Sequence, residues 1–336
     1  MEKQKLGDHG PQVSRLGLGC MGMSDLYGPA DRQESLATLH KALDAGVNLL
    51  DTGDFYGMGH NELLIGEALS QRDDADDILV SVKFGAQRGP GGDWLGYDAR
   101  PAAVKSFAAY SLQRLGRDRI DIYRPARLDP NVPIEDTIGA IAELVEAGYV
   151  RHIGLSEVGP ETLRRAAAVH PIADLQIEYS LLSRGIEDEI LPVCRELGIA
   201  VTAYGVLSRG LLSGHWQGPA GQGDFRAHSP RFQGANVARN LELVEALKEV
   251  AWEKSVTPAQ VAIAWVAAQG SDIVPLVGAR SRRRLEESLA ALDVKLCADD
   301  LAAIERAVPK GAAAGARYAA AQMAMLDSER PMAGGA

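Results

Sequence analysis

Residues 47–57 read Val47-Asn-Leu-Leu-Asp51-Thr-Gly-Asp-Phe-Tyr56-Gly57, a short apolar run that ends on an acidic residue and passes into a glycine-flanked loop. Similar apolar runs recur along the chain, and amphipathic stretches separate most of them. The predicted strands are 16–20, 47–51, 78–83, 120–126, 153–156, 175–178, 200–204 and 273–277. Several are almost continuously apolar, which is typical of parallel strands that are covered on both faces.

The predicted helices lie between and after these strands. Pro101, Pro160 and Pro258 suit the first turn of a helix, where a missing N–H costs nothing. The predicted helices are 32–45, 62–70, 101–115, 134–147, 160–169, 188–197, 240–255, 258–269, 282–292 and 299–307. This unbroken alternation predicts an α/β fold, a (β/α)8 TIM barrel with an N-terminal β-hairpin within residues 1–15 and long βα loops. The alternative is an open, doubly wound sheet.

Composition excludes several classes of function. The chain has 336 residues, with 35 Lys and Arg against 45 Asp and Glu, so its net charge is −10. Such a chain lacks the basic surface of general nucleic-acid binding, and no apolar run approaches the ~20 residues of a membrane span. Cys20, Cys194 and Cys297 form no CxxC pair, which favours reduced thiols in a cytoplasmic protein. We expect a small-molecule partner, no nucleic acid and no membrane; the oligomeric state stays open.

Two segments interrupt the alternation. Residues 205–237 are rich in Gly, Pro and Ser and are long for a βα loop, which is typical of a functional flap. The end of the chain is rich in Ala and Gly. We interpret residues 1–310 as one barrel domain and 311–336 as a C-terminal tail, either a lid with a short helix or a partly disordered segment.

Polar side chains stand at the ends of two predicted strands. Asp51 ends the second strand, Tyr56 follows five residues later, and Lys83 ends the third strand. Catalytic groups of α/β barrels lie at the carboxyl ends of the strands. A charge pair between Asp51 and Lys83 would remove the cost of burying a lysine. A cation near Tyr56 would lower the phenol's pKa from ~10 and make it a usable proton donor. The alternatives are an aspartate that caps a turn and a lysine that extends to solvent.

A basic stretch, Gly278-Ala-Arg280-Ser-Arg-Arg-Arg284, follows the eighth predicted strand and opens a helix. Barrels often bind phosphate at the loops after strands seven and eight, on a helix N-terminus. Several arginines there indicate a doubly charged phosphate. The alternative is a solvated first turn, which is unusual because cations oppose the helix dipole at an N-terminus.

Other patterns point away from competing chemistries. Gly17-Leu-Gly-Cys20-Met21-Gly22 fits GxGxxG, but loop residues follow it and the nearest strand-end acid is about 30 residues away, so a tight turn is preferred to a dinucleotide fingerprint. The seven histidines lack metal-ligand spacing, and no Gly-x-Ser-x-Gly elbow occurs. We expect neither a hydrolase nor a metal site.

Taken together, these stretches resemble the aldo-keto reductase superfamily over roughly residues 3–310, and look most like its bacterial branch with long loops, related to potassium-channel β subunits. The matching stretches are 51–57, Asn61-Glu62, 82–85, 148–157, 176–180, 204–210 and 278–280. The resemblance implies NADPH/NADP⁺-dependent reduction of a ketone or aldehyde to an alcohol. It implies that Tyr56 donates the proton and that Lys83 and Asp51 tune it. The alternative is a cofactor-binding regulatory protein with slow turnover.

The resemblance also implies a cofactor-binding set. Its members are Cys20, Met21, Ser156, Glu157, Gln176, Tyr204, Leu207, Arg209, Gly210, Arg231, Gly278, Arg280, Arg284, Glu287 and Ser288. In this scheme Ser156, Glu157 and Gln176 hold the carboxamide, and Tyr204 stacks on the nicotinamide. The stretch from Leu207 to Gly210 covers the pyrophosphate, and Arg231 adds a phosphate contact. The residues from Gly278 onward match the adenosine 2′-phosphate and adenine site.

One position departs from the family pattern. The family's fourth catalytic residue is a His in a pattern like Asp-x-Tyr-x-x-His-Arg-x-Asp-Pro, and this chain has Ala126 at that place, in Asp121-Ile-Tyr-Arg-Pro-Ala126-Arg-Leu-Asp-Pro130. The His helps to polarise the carbonyl and to orient the substrate. Its absence predicts room for a bulky carbonyl. Arg124, on the same side of the strand, or a water would then supply the missing donor. The expected pocket residues are Trp94, Arg124, Ala126 and Arg127, and the expected substrate loops are 86–100, 205–237 and the tail.

Overall fold

Eight parallel strands close into a barrel in the computed structural model, which describes residues 1–24, 26–216, 218 and 224–330. The strands in chain order are β1 Lys3–Lys5, β2 Gln12–Ser14, β3 Gly17–Gly19, β4 Leu49–Gly53, β5 Leu79–Phe84, β6 Ala86–Arg88, β7 Trp94–Tyr97, β8 Ile120–Pro125, β9 Val150–Ser156, β10 Ile172–Glu178, β11 Ala200–Tyr204 and β12 Ile273–Gly278. The barrel runs β3-β4-β5-β8-β9-β10-β11-β12, and β12 pairs back onto β3. The predicted barrel is confirmed, and the open sheet is wrong.

The helices alternate with the barrel strands. They are α1 Arg32–Asp44, α2 His60–Ser70, α3 Pro101–Leu115, α4 Ile134–Glu146, α5 Pro160–Val169, α6 Ile190–Glu196, α7 Gly234–Glu253, α8 Pro258–Ala267, α9 Arg282–Leu289, α10 Ala298–Ala307 and α11 Ala320–Met323. Prolines begin α3, α5 and α8, as predicted. Helix α7 begins six residues before the predicted start at residue 240. Its first residues therefore lie within 205–237, the segment whose Gly, Pro and Ser content predicted a flap. None of the helices in the described ranges is long and apolar enough to cross a bilayer.

A second hairpin lies in the expected substrate loop 86–100. Strands β6 and β7 pair antiparallel, with Ala86 opposite Tyr97. The Arg88 guanidinium lies 4.5 Å from the centre of the Trp94 ring across the hairpin. A turn rich in Gly and Pro joins the two strands, and strands this short leave no periodicity by which to predict them.

The N-terminal hairpin closes one end of the barrel. Leu6 and Val13, from the hairpin, form one buried cluster with residues at or near the amino ends of barrel strands, among them Leu49 and Leu79. Gly7 makes the close approach possible, because it has φ +64° and a Cβ there would lie 2.6 Å from the Gly198 carbonyl oxygen. The opposite end, formed by the carboxyl ends of the strands, is left for the site.

A layer of buried polar groups fills the barrel beneath that end. The Arg124 guanidinium donates to Asp174 Oδ2 at 2.8 Å and to Ser81 Oγ at 2.9 Å. Thr202 Oγ1 donates to the same Asp174 oxygen at 2.6 Å, and Ser81 Oγ donates to Asp51 Oδ1 at 3.1 Å. Arg124 is 0% exposed. The expectation that Arg124 lines the substrate pocket and reaches the space beside Ala126 is therefore wrong, because a buried guanidinium is held by the carboxylate next to it.

Replacement of Arg124 with Met should lower the free energy of unfolding by about 3–5 kcal/mol, since Asp174 would remain buried without its counter-charge. Urea unfolding followed by circular dichroism measures the change. Arg165→Met is the matched control, because Arg165 pairs with Glu135 on the surface and such pairs contribute about 1 kcal/mol or less. Equal effects of the two substitutions would contradict the inference that the buried polar layer stabilises the fold.

Candidate active site

A buried ion pair joins the carboxyl ends of β4 and β5. Lys83 Nζ lies 2.5 Å from Asp51 Oδ2, and both side chains are 5% exposed. Lys83 also donates to Gln176 Oε1 at 3.0 Å, while Gln176 Nε2 donates to Asp51 Oδ1 at 2.7 Å. Burial lowers the pKa of Lys83, and Asp51 opposes that effect. The structure thus forms the predicted pair and adds Gln176 as a bridge across the barrel from β10.

Tyr56 lies beside this pair and is buried. Lys83 Nζ lies 5.1 Å from the centre of its ring, and the Phe55 ring packs against it edge-on at 4.7 Å. Burial raises the pKa of Tyr56 well above 10, Asp51 raises it further, and the Arg127 cation opposes both. We expected Lys83 to be the cation that lowers this pKa. Its charge is instead balanced by Asp51, and Arg127 is the opposing cation.

The chain turns back directly after Tyr56. Residues 57–59 all have positive φ, and a Cβ on Gly59 would lie 2.7 Å from Arg114 Cδ, so this turn requires glycine at its last position. Asn61 then fixes the start of α2, because it accepts from Thr52 Oγ1 and donates to the Cys20 carbonyl oxygen. These contacts hold Tyr56 in place relative to the ends of β3 and β4.

Arg127 extends across the ends of β8 and β9. Its Nη1 donates to the Ala126 carbonyl oxygen at 2.6 Å and lies 3.4 Å from Ser156 Oγ. Ala126 is almost fully buried, and its N–H donates to the Phe84 carbonyl oxygen at 2.8 Å. The methyl group of Ala126 therefore sits at the barrel mouth, with a guanidinium from the next residue beside it.

The C-terminal tail crosses the mouth and binds Glu157. Arg317 donates to both carboxylate oxygens of Glu157, at 2.8 and 2.5 Å, and to Glu329 at 2.8 Å. Burial raises the pKa of Glu157, but Arg317, with smaller contributions from Arg127 and Tyr204, holds that pKa well below its usual range. Sequence analysis did not identify Arg317 or its neighbour Tyr318. Their only signal is an Arg-Tyr pair in a tail otherwise rich in Ala and Gly.

Residues expected at the nicotinamide end are engaged by the tail. Tyr204 Oη donates to Glu157 at 2.6 Å and lies 2.9 Å from Tyr318 Oη. Arg209 donates to the Arg317 carbonyl oxygen at 2.5 Å, and its guanidinium lies 4.3 Å from the centre of the Tyr318 ring. The described part of the tail, up to residue 330, is therefore in contact with the predicted cofactor site. Residues 331–336, and 217 and 219–223 of the flap, lie outside the described residues.

The charges around this site fit an anionic cofactor. Three buried guanidinium groups, those of Arg209, Arg231 and Arg317, lie near two buried carboxylates, Glu157 and Glu178. Arg231 also donates to the Leu182 carbonyl oxygen and to Ser183 Oγ. The buried part of this cluster carries excess positive charge, as a bound pyrophosphate requires.

The far side of the mouth has little side-chain bulk. Gly19 and Gly278 pair across β3 and β12, and a Cβ on either would meet nothing closer than 3.7 Å. Arg280 donates to the Tyr27 carbonyl oxygen at 2.9 Å and Arg284 to Glu287 at 2.9 Å. The remaining predicted members are Ser288, whose Oγ donates to the Arg284 carbonyl oxygen, Leu207 and Gly210 at the start of the flap, Met21 in a short turn, and Cys20, whose thiol is fully buried.

One expected pocket wall is half exposed. Trp94 is 49% exposed and packs edge-on against Phe55 at 5.8 Å, which places it beside the loop that carries Tyr56. Trp216, in the segment 205–237, packs edge-on against Phe232 at 5.4 Å. Among the described residues no cluster of three or more His, Cys, Asp or Glu could hold a metal ion.

Comparisons with known proteins agree on one family. The sequence model of the aldo/keto reductase family matches residues 15–309. A probable aldo-keto reductase 1 of Glycine max is 43% identical over 319 residues, which cover 94% of this chain and 91% of that protein. An NADP(+) aldo-keto reductase, yakc, of Schizosaccharomyces pombe is 39% identical over 91% of this chain and 92% of that protein. The glycerol dehydrogenase AKR11B4 of Gluconobacter oxydans matches with a TM-score of 0.84 and 28% identity, over 92% of this chain and 95% of that one.

Replacement of Arg317 with Met should release the tail, because Glu157 loses the guanidinium that compensates its buried charge. Limited proteolysis should then cleave within residues 311–330 at least tenfold faster, a factor that about 1.4 kcal/mol of lost docking energy would produce. Arg330→Met is the control, since Arg330 is exposed and lies 3.6 Å from Asp327. A tail that resists protease equally in both variants would show that the Arg317–Glu157 pair does not hold it.

Proposed function

The chain belongs to the aldo/keto reductase family and is an oxidoreductase, and we propose that it uses NADPH to reduce a ketone or aldehyde to the alcohol. The observation that carries the proposal is the buried Asp51–Lys83–Gln176 network beside Tyr56. NADPH supplies the hydride that adds to the carbonyl carbon. Tyr56 Oη gives its proton to the carbonyl oxygen, and the phenolate then recovers a proton from solvent.

Asp51 and Lys83 fix the surroundings of that proton donor. Lys83 holds a positive charge 5.1 Å from the centre of the Tyr56 ring. Asp51 keeps Lys83 charged in a place where burial alone would favour the neutral amine. Gln176 bonds both members of the pair, so part of its amide is committed to the network. In the proposal, Gln176 both holds the Asp51–Lys83 pair and contacts the carboxamide of the nicotinamide.

The proposed choice of NADPH rests on charge. The excess of buried guanidinium groups near Glu178 supports a pyrophosphate there, and Arg280 and Arg284 support a 2′-phosphate at the start of α9. The relative from Schizosaccharomyces pombe carries NADP(+) in its name. In this proposal the described part of the tail, held by Arg317, acts as the lid of the site.

We propose that the substrate is bulky. Ala126 replaces an imidazole by a methyl group, and Arg124 does not fill the space because Asp174 holds it. Phe55 packs on Tyr56 and Trp94 packs on Phe55, so both offer aromatic surface near the proposed proton donor. A carbonyl compound with a large apolar substituent suits this pocket. Higher kcat/KM for bulky ketones than for small aldehydes, across a panel with NADPH, would support it, and the opposite order would contradict it.

A regulatory protein with slow turnover is the less favoured alternative, because Tyr56, Lys83 and Asp51 are all present and assembled. The proposal also includes a reducing compartment such as the cytoplasm, consistent with three cysteines that are all free.

Replacement of Tyr56 with Phe should remove most of kcat and leave NADPH affinity nearly unchanged, because the phenol acts on the reacting oxygen alone. Loss of the proton donor should cost about 10²–10⁴-fold. NADPH absorbance gives the rate, and quenching of tryptophan fluorescence gives the affinity. A Phe variant with the wild-type rate would contradict the assignment of Tyr56 as the proton donor.

Replacement of both Arg280 and Arg284 with Met should weaken NADPH binding about 10-fold or more while NADH binding changes little, because charge-assisted bonds to the 2′-phosphate exist only for NADPH. The measurement is the ratio of the two dissociation constants by fluorescence titration. Arg282→Met is the control, since Arg282 also lies at the start of α9 but is not in the predicted cofactor-binding set, and it pairs with Glu34. Equal losses for the two cofactors would show that these arginines only begin a solvated helix.

A further inference from the structure

Arg127 differs from the other cations in the centre of the barrel mouth. Lys83 pairs with Asp51, Arg209 with Glu178, and Arg317 with Glu157. No carboxylate in the described part of the chain lies within 4 Å of the Arg127 guanidinium, although the residue is more than half buried. A guanidinium that is partly removed from water and has no carboxylate partner is available to bind a ligand.

The position of this guanidinium is fixed by two contacts. Its Nη1 donates to the Ala126 carbonyl oxygen, 2.6 Å away, and faces Ser156 Oγ at 3.4 Å. The described residues offer no acceptor to its Nε or Nη2. Two donor groups, Nε and Nη2, therefore remain available on a side chain that contacts the backbone of Ala126, the residue at which the family pattern has an imidazole.

The charge of Arg127 acts on the groups that surround the reacting oxygen. It opposes the rise in the pKa of Tyr56 that burial and Asp51 cause. It also contributes to lowering the pKa of Lys83, after burial and Arg124. The guanidinium thus acts on both Tyr56 and Lys83, whose side chains flank the proposed proton transfer. Tyr204, Tyr318, Glu157 and Tyr97 also face it, and each raises the pKa of Arg127.

We propose that Arg127 supplies the second hydrogen bond to the reacting carbonyl oxygen and so takes the place of the missing imidazole. This inference rests on the proposed function. As hydride adds to the carbonyl carbon, the C=O π pair moves onto oxygen, which receives the Tyr56 proton. Arg127 donates to that oxygen throughout and stays protonated, because its pKa lies far above neutral. It stabilises the negative charge that develops on oxygen.

A fixed cation differs from an imidazole in two ways. An imidazole with an ordinary pKa of ~6.5 changes charge between pH 5 and 8, whereas a guanidinium does not. Positive charge beside Tyr56 also favours its phenolate, which is the base for the reverse, alcohol-oxidising reaction. Since loss of Arg127 raises the pKa of Tyr56, the rise of the oxidation rate with pH should move to higher pH in Arg127→Met.

A double-mutant cycle between positions 126 and 127 tests the proposal. Arg127→Met should lower kcat for carbonyl reduction about 10²-fold, the cost of one lost donor to a developing oxyanion. Ala126→His alone supplies the reference rate against which the double variant is compared. In the double variant the new imidazole should restore most of the loss, a coupling that a structural role for Arg127 would not produce.

Control measurements distinguish a direct effect of Arg127 on the reacting oxygen from effects on the fold or on NADPH binding. Arg119→Met removes an exposed arginine just before the opposite end of the same strand, β8, and should leave kcat unchanged. NADPH affinity, measured by fluorescence, and the midpoint of thermal unfolding should match the wild type in Arg127→Met. If that variant does not fold, Arg127→Lys keeps the charge but loses the planar pair of donors, and should show an intermediate kcat.

Three results would overturn the inference. The first is a wild-type kcat in Arg127→Met, or in Arg127→Lys where Met does not fold. The second is a lowered kcat that Ala126→His does not restore. The third is an oxidation profile that does not move along the pH axis. A wild-type protein that turns over no carbonyl with NADPH would instead overturn the proposed function, and this inference with it.

Discussion

The cost of burying charge governs the organisation of this barrel. Asp51 and Lys83 are buried near the ends of neighbouring strands. Burying either charge without the other would cost several kcal/mol of stability, on the order of 3–5. Gln176 bonds to both, and Ser81 bonds to Asp51 from the layer below. A chain of hydrogen bonds then continues down to Arg124. The proposed proton donor, Tyr56, therefore lies beside a network in which each charged group has an opposite charge next to it.

The cost of burying a charge also explains why the tail lies against the barrel mouth. Glu157 directly follows β9 and lies fully buried next to Tyr204, so its carboxylate needs a cation. None of the barrel strands supplies it within the described part of the molecule; Arg317 does, 160 residues later in the chain. The segment that covers the mouth is thus held by a fork of two hydrogen bonds to a residue of the mouth itself. The tail therefore contacts residues of the proposed nicotinamide site, among them Glu157 and Tyr204.

Ala126 stands where the family pattern has an imidazole, and we propose that Arg127 compensates for that loss. An alanine here would leave the reacting oxygen with one donor, and the nearest inward-facing cation, Arg124, is committed to Asp174. Arg127 lies outside the strand proper, at the loop end, and is free of carboxylate partners in the described structure. A loop residue can aim its side chain over the mouth, whereas a residue in the middle of a strand is confined to the interior.

The sequence by itself determined the alternation of strands and helices, the prolines that begin α3, α5 and α8, and the Asp51, Tyr56 and Lys83 set, because these depend on local pattern and on strand ends. It did not determine which charge pairs with which. Arg124 points inward as alternation requires, yet it pairs with Asp174, two strands away, and Glu157 pairs with Arg317 of the tail. Arg127, which the sequence does not connect with Tyr56, opposes the rise in the pKa of Tyr56. Those choices are made by distances between residues far apart in the chain, which exist only once the barrel has closed.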